Sequence, residues 1–151
     1  MKVTALPFEL HGQVVPGKQL GSRLGFPTAN IAYDPADRNW PEEGVYAGIA
    51  QVEGEDRAYV CILNQGSHPT APGGAPTVEA HLLGYPDQAL YGKKLMLSYR
   101  SFLRSETRFP SLDALRSQLR QDRLSAIAWA EECVPQLLCP IESEGAEDAT
   151  V

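Results

Sequence analysis

The sequence predicts a mainly β fold, a barrel or sandwich of about six short strands with one amphipathic α-helix near the C-terminus. Three observations predict it. Short segments rich in β-branched and aromatic residues alternate with turn-rich patches, with no helical pattern between them. One long segment, beginning at Ser111, lacks Gly and Pro and carries its leucines near a 3.6-residue period. The chain has 151 residues, within the range of a single domain. A domain of that size buries roughly two-thirds of its unfolded surface without a metal or disulfide staple.

The strand segments fall at 10–15, 29–33, 45–52, 58–63, 78–83 and 94–103. Turn-rich patches separate them at 16–25, 34–44, 53–56, 66–76 and 84–92. On the fifth segment strict alternation sends Glu79, His81 and Leu83 to one face and Val78, Ala80 and Leu82 to the other.

No Gly or Pro interrupts the chain from Ser111 to Pro135. Leu112, Leu115, Leu119 and Ile127 recur at helical spacing, and Leu112, Leu115 and Leu119 are expected to pack on the β layer. The Ser111 hydroxyl can cap the first turn, and Asp113 complements the helix dipole there. The tail after Pro140, "IESEGAEDATV", is acidic and rich in small residues. The expected division is therefore one domain over 1–135 and a frayed or disordered tail over 136–151.

Composition narrows the function classes. A hydrophobic share of 43% and a charged share of 21% are those of an ordinary globular protein. No apolar run reaches the ~20 residues of a membrane-spanning helix. The first ten residues lack the basic-then-apolar layout of a signal peptide. Cys61, Cys133 and Cys139 form no CxxC pair and no zinc spacing. With no secretory signal, an odd cysteine count fits reduced thiols and a cytoplasmic location. A net charge of −6 argues against a general nucleic-acid binder. No spare apolar face stands out, so a monomer is expected.

The most informative stretch is residues 12–31, "GQVVPGKQLGSRLGFPTANI". A strand leads into a loop with Gly17, Gly21 and Gly25, then Pro27, then a second strand. Such glycines let backbone amides approach a ligand closely, which suits a loop over phosphates or, equally, a sterically tight hairpin. The loop is not a Walker A motif, because Gly17-Lys18 is followed by Gln19 rather than Ser or Thr. Lys18 and Arg23 put positive charge in it. By residue type alone Thr28 is a β-former and Asn30 a turn residue, yet on a strand the two share a face.

The segment "LGFPTANI" after a glycine-rich loop resembles the signature of the riboflavin kinase family. "GVYAGI" at 44–49, "PTVEAHLL" at 76–83, "LYGKKL" at 90–95 and "FLRSETRFPSLDALRSQLRQD" at 102–122 follow that family's order and spacing. The similarity covers roughly residues 10–125. It implies a six-stranded Greek-key β-barrel and transfer of the γ-phosphoryl group of ATP to the 5′-hydroxyl of riboflavin, giving FMN. It also implies the site residues. Thr28 and Asn30 would bind the Mg²⁺ that accompanies ATP, with Zn²⁺ or Mn²⁺ as possible substitutes. ATP would lie under a loop that includes Gly17, Lys18, Gly21, Arg23, Gly25 and Pro27. Glu79 would be the base that activates the hydroxyl. Leu103, Arg104, Glu106 and Phe109 would close over the isoalloxazine ring. The expected partners are the small molecules riboflavin and ATP, with no nucleic acid and no membrane.

The sequence departs from the family in "NQGSHPTAPGGAPTVE", which has His68 and Ala71 where an asparagine and an aromatic are common. This altered loop motivates a competing expectation, a non-catalytic flavin-binding sensor or carrier on the same barrel. Retention of Thr28, Asn30 and Glu79 counts against it. Many bacterial relatives also carry an adenylyltransferase domain with an HxGH-type nucleotide site. No such motif occurs here and little chain precedes the first strand, so FAD synthesis is not expected.

Overall fold

A computed structural model describes residues 6–15, 28–36, 38–69, 76–86, 90 and 92–138, with the side chains of 67–69 outside that set. Six strands are formed: β1 (Phe8–Val15), β2 (Thr28–Ala32), β3 (Gly44–Val52), β4 (Ala58–Pro69), β5 (Pro76–Leu82) and β6 (Lys94–Arg104). They pair antiparallel in the closed order β1-β2-β5-β4-β3-β6. Three consecutive strands, β3 to β5, with β6 returning beside β3, make a Greek key. The expected fold class is the one observed.

Alternation sends one face of each strand into the barrel and, on β3 and β4, the other face into a second apolar layer. Leu10, Ile31, Leu63, Val78, Leu82, Leu97 and Tyr99 point inward and fill the barrel. Val45, Ala47, Val60, Ile62 and Leu83 point outward into a second cluster with Ala126, Ala130, Val134 and Leu138. The two strands β3 and β6 approach closely at Gly48, where a Cβ would overlap the Ser98 carbonyl oxygen.

Strand β4 runs past its expected end at 63, through the turn-like residues Asn64, Gln65 and Gly66. Gln65 points into the barrel and is still satisfied. Its Nε2 donates to the Pro41 carbonyl at 2.8 Å, and its Oε1 accepts from the Tyr99 hydroxyl at 2.7 Å. A buried amide with both ends paired costs little, so a polar residue continues the strand.

Helix α1 (Leu112–Cys133) begins where expected, with Ala114 N–H donating to Ser111 Oγ at 3.1 Å. Its contact face is not the expected one. Leu112 is 58% exposed, and Leu115 and Leu119 are only half-buried. The buried positions are Asp122, Ala126 and Ala130, four residues apart along the C-terminal half. Small side chains there let the helix sit close against Val45, Ala47, Val60 and Ile62, and the leucine-bearing first turns are left at the edge of the contact. A short 3-10 turn, Pro135–Leu137, follows and Leu138 is buried beneath it. Residues 136 and 137, expected in the tail on sequence grounds, thus belong to this turn with Leu138 capping it, and 139–151 lie outside the described residues.

Candidate active site

The outer face of β2, β5 and β4 carries a compact polar group. In register, Asn30 lies opposite Glu79, and Glu79 lies opposite Asn64. One step along the ladders, Thr28 lies opposite His81, and His81 lies opposite Ile62. Directly opposed residues share a face of the sheet. Three strands therefore put a hydroxyl, an imidazole, a carboxylate and two carboxamides side by side, while Ala29, Ile31, Val78, Ala80, Cys61 and Leu63 alternate with them into the core. Ile62 joins this group to the apolar cluster under α1.

His81 is buried and sits between two of the other groups. Its Nε2 is 3.2 Å from Glu79 Oε1, and its Nδ1 is 3.4 Å from Thr28 Oγ1. Glu79 stays partly open to solvent, with 27% of its side chain exposed, which leaves the carboxylate reachable by a substrate.

Both flanking amides are under-satisfied. Asn30 is 1% exposed, and neither its Oδ1 nor its Nδ2 has a hydrogen-bond partner among the described residues. The buried Oδ1 of Asn64 is likewise unpartnered among them. A buried unpaired amide costs about 1–3 kcal/mol, and native structures hold few of them without a reason such as a missing ligand.

The chain leaving β6 approaches this region from the side of α1. Arg104 is committed elsewhere: its Nε and Nη2 donate to the two carboxylate oxygens of Asp122, each at 2.8 Å. Gln118 Nε2 adds a third bond to Asp122 Oδ1 at 3.0 Å. The Arg104 guanidinium also lies 5.8 Å from the centre of the Phe109 ring. Leu103 packs against the cluster under α1. Glu106 presses on Gly66, where a Cβ would overlap its carboxylate. Tyr33 donates its hydroxyl to the Gly66 carbonyl at 3.1 Å. Burial, with Glu43 and Glu106 nearby, pushes the Tyr33 phenol up.

Of the residues singled out in the sequence, Thr28, Asn30 and Glu79 are brought together. Of Leu103, Arg104, Glu106 and Phe109, Arg104 and Phe109 lie together, whereas Leu103 packs under α1 and Glu106 lies against Gly66. Gly17, Lys18, Gly21, Arg23, Gly25 and Pro27 lie outside the described residues, as does the side chain of His68 and all of Ala71. The sequence places His81 on the face of Glu79 without a role, and it does not point to Asn64, Gly66, Tyr33 or Asp122. For Asn64 a signal existed: it alternates with Val60 and Ile62 on the outward face. A cleft of about 350 Å³ on the far side of the barrel, lined by His11, Gln51, Glu53, Lys94 and Met96 among others, contains none of the site groups.

Residues 4–130 match the Flavokinase family, riboflavin kinase. The chain belongs to the riboflavin kinase family. The bifunctional riboflavin kinase/FMN adenylyltransferase of Escherichia coli K12 is 40% identical over 121 residues, covering 80% of this chain and 37% of that protein. The chain thus spans well under half the length of that curated relative. Among solved structures, riboflavin kinase from Trypanosoma brucei superposes with a TM-score of 0.61 at 27% identity, covering 91% of this chain and 85% of the other. A macrolide-efflux protein from Streptococcus pneumoniae gives 0.67 at 28% identity, over 82% of this chain and 39% of that one.

Riboflavin kinases act on ATP, so the outward group can be tested for its fit to a phosphate-borne Mg²⁺. Among the described residues no cluster of three or more His, Cys, Asp or Glu could hold a metal by itself. The donors present are instead a hydroxyl and an unpartnered carboxamide oxygen, neutral hard ligands. Mg²⁺ is commonly held by one or two protein oxygens with the remainder from phosphates and water. Thr28 and Asn30 fit that role.

Proposed function

We propose that this chain is a riboflavin kinase that transfers the γ-phosphoryl group of Mg-ATP to the 5′-hydroxyl of riboflavin, giving FMN and ADP. The observation that carries the reading is the Glu79 carboxylate, held by a buried histidine and flanked by two under-satisfied amides, in a chain of this family.

Phosphoryl transfer asks the protein mainly for positioning and charge stabilisation. Glu79 accepts the proton of the 5′-hydroxyl as its oxygen attacks the γ-phosphorus. The new O–P bond forms while the bond to the β–γ bridging oxygen breaks, and ADP leaves with that electron pair. Thr28 Oγ1 and Asn30 Oδ1 would hold the metal that accompanies ATP. Bound there, Mg²⁺ would neutralise phosphate charge in the transition state. Asn30 Nδ2 and Asn64, on either side of Glu79, are placed to hydrogen-bond substrate oxygens.

Riboflavin binds beside the segment after β6. Glu106 and Phe109 supply a polar edge and an aromatic wall, while Arg104 acts through its clamp on Asp122 and its contact with Phe109. ATP lies toward the 16–27 loop. The purified chain, given riboflavin and Mg-ATP, should yield FMN by chromatography with fluorescence detection. Absence of FMN under every nucleotide and metal, with riboflavin binding intact, would instead favour a flavin carrier.

A further inference from the structure

We propose that His81 is a positioning residue, a single imidazole that fixes the Glu79 carboxylate and the Thr28 hydroxyl relative to each other. The inference rests on the kinase reading of the same site. His81 is on β5, two residues from Glu79 on one face and opposite Thr28 across the β2–β5 ladder. Its side chain is 4% exposed, with Nε2 at 3.2 Å from Glu79 Oε1 and Nδ1 at 3.4 Å from Thr28 Oγ1.

A neutral imidazole has one donor and one acceptor nitrogen, and a carboxylate only accepts. In the neutral ring Nε2 would carry the proton toward Glu79, and Nδ1 would accept from the Thr28 hydroxyl. Two consequences follow for the chemistry. The Thr28 hydroxyl is held toward the ring, on the same face of the sheet as the Glu79 carboxylate. Glu79 is held through Oε1, which leaves Oε2 for the substrate hydroxyl. The Thr28 contact is long for a hydrogen bond, as catalytic hydrogen bonds often are before substrate binds. A histidine that merely filled space would need neither contact.

The test compares wild type with His81→Phe, His81→Gln, Thr28→Val and the double variant His81→Phe/Thr28→Val, with thermal unfolding as a control for folding. His81→Phe should lower kcat by about 10- to 100-fold, the range seen when orienting partners of site ligands are lost. KM for riboflavin should move less than about threefold. The Gln amide can still donate to Glu79, so His81→Gln should recover part of the loss. The double variant should lose less than the product of the single losses, because both remove one shared contact. Side-chain ¹⁵N spectra of wild type should show His81 protonated on Nε2 and bare on Nδ1, a readout independent of turnover.

The proposal is overturned if a folded His81→Phe keeps kcat within about twofold of wild type, if the single losses multiply, or if Nδ1 carries the proton. Should His81→Phe not fold, His81→Gln and the spectrum decide. Wild type that makes no FMN would remove the kinase reading itself, whereas turnover that survives the His81 changes removes only the role of His81.

Discussion

Asn30 and Glu79 stand directly opposite each other across the ladder joining β2 to β5, on the outer face of the barrel. The amide is buried and unpartnered among the described residues, while the carboxylate beside it is partly open and held by His81. A buried amide left unpaired in this way costs stability that an apolar residue of the same size would not. That is expected of a site whose partners arrive with the substrates.

Asn30→Leu should therefore separate stability from activity. Replacing an unpaired buried amide by an apolar group of similar size removes a cost of about 1–3 kcal/mol. The melting temperature should stay level or rise, while FMN formation falls by about 10-fold or more. Thermal melts and initial rates on the same preparation check it. A clear fall in melting temperature would mean that Asn30 has a structural partner.

The pairing of Arg104 with Asp122 ties the end of β6 to α1. Asp122→Ala leaves a part-buried guanidinium without its carboxylate, a loss of about 1–3 kcal/mol, below that of a fully buried pair. Denaturant unfolding should show the loss, and KM for riboflavin should rise as Phe109 loses its anchor. A stability change under about 1 kcal/mol would place the pair among surface bridges.

A Cβ on Gly66 would meet the Glu106 carboxylate, the mobile end of a flexible side chain that must move aside. Gly66→Ala should displace Glu106 and weaken riboflavin binding, read as reduced quenching of flavin fluorescence. Gly66→Ala/Glu106→Ala should bind riboflavin no better than Gly66→Ala, with both variants folded in thermal melts. Equal binding by wild type and Gly66→Ala would sink the assignment of Glu106 to the flavin site.

Stability should fall in alkaline solution. Burial, with Glu42 nearby, pushes the Tyr46 phenol up from 10.0 to about 12, and burial also raises Tyr99 and Cys61. Above pH 10 the unfolded chain releases phenolic protons that the folded chain retains. The unfolded state then binds fewer protons, so stability drops as pH rises from about 10 to about 12. Denaturant midpoints across that range measure it, and a flat profile would show the phenols to be unshifted.

Much of this was legible in the sequence. Alternation in 78–83 gives the inward and outward faces of β5 correctly, and the same rule pairs Thr28 with Asn30 on one side of β2. What alternation does not supply is which strands lie together. Glu79 meets Asn30 and Asn64 only because β5 is seated between β2 and β4, a long-range fact. The end of β4 was illegible because Gln65 looks like a turn residue until Tyr99 and Pro41 are seen to satisfy it. The face of α1 was misread because leucine spacing marks apolar positions, whereas the contact is set by how closely Ala126 and Ala130 let the helix approach. Burial of Asp122 depends on Arg104, a partner that no local pattern announces.

The most direct test of the central claim is the rate of FMN formation from riboflavin and Mg-ATP by wild type and by Glu79→Gln. The account predicts turnover by wild type and a loss of about 10²-fold or more in the variant, with riboflavin still bound. Undiminished turnover by Glu79→Gln would contradict it, since the carboxylate at the centre of the site would then not be the base.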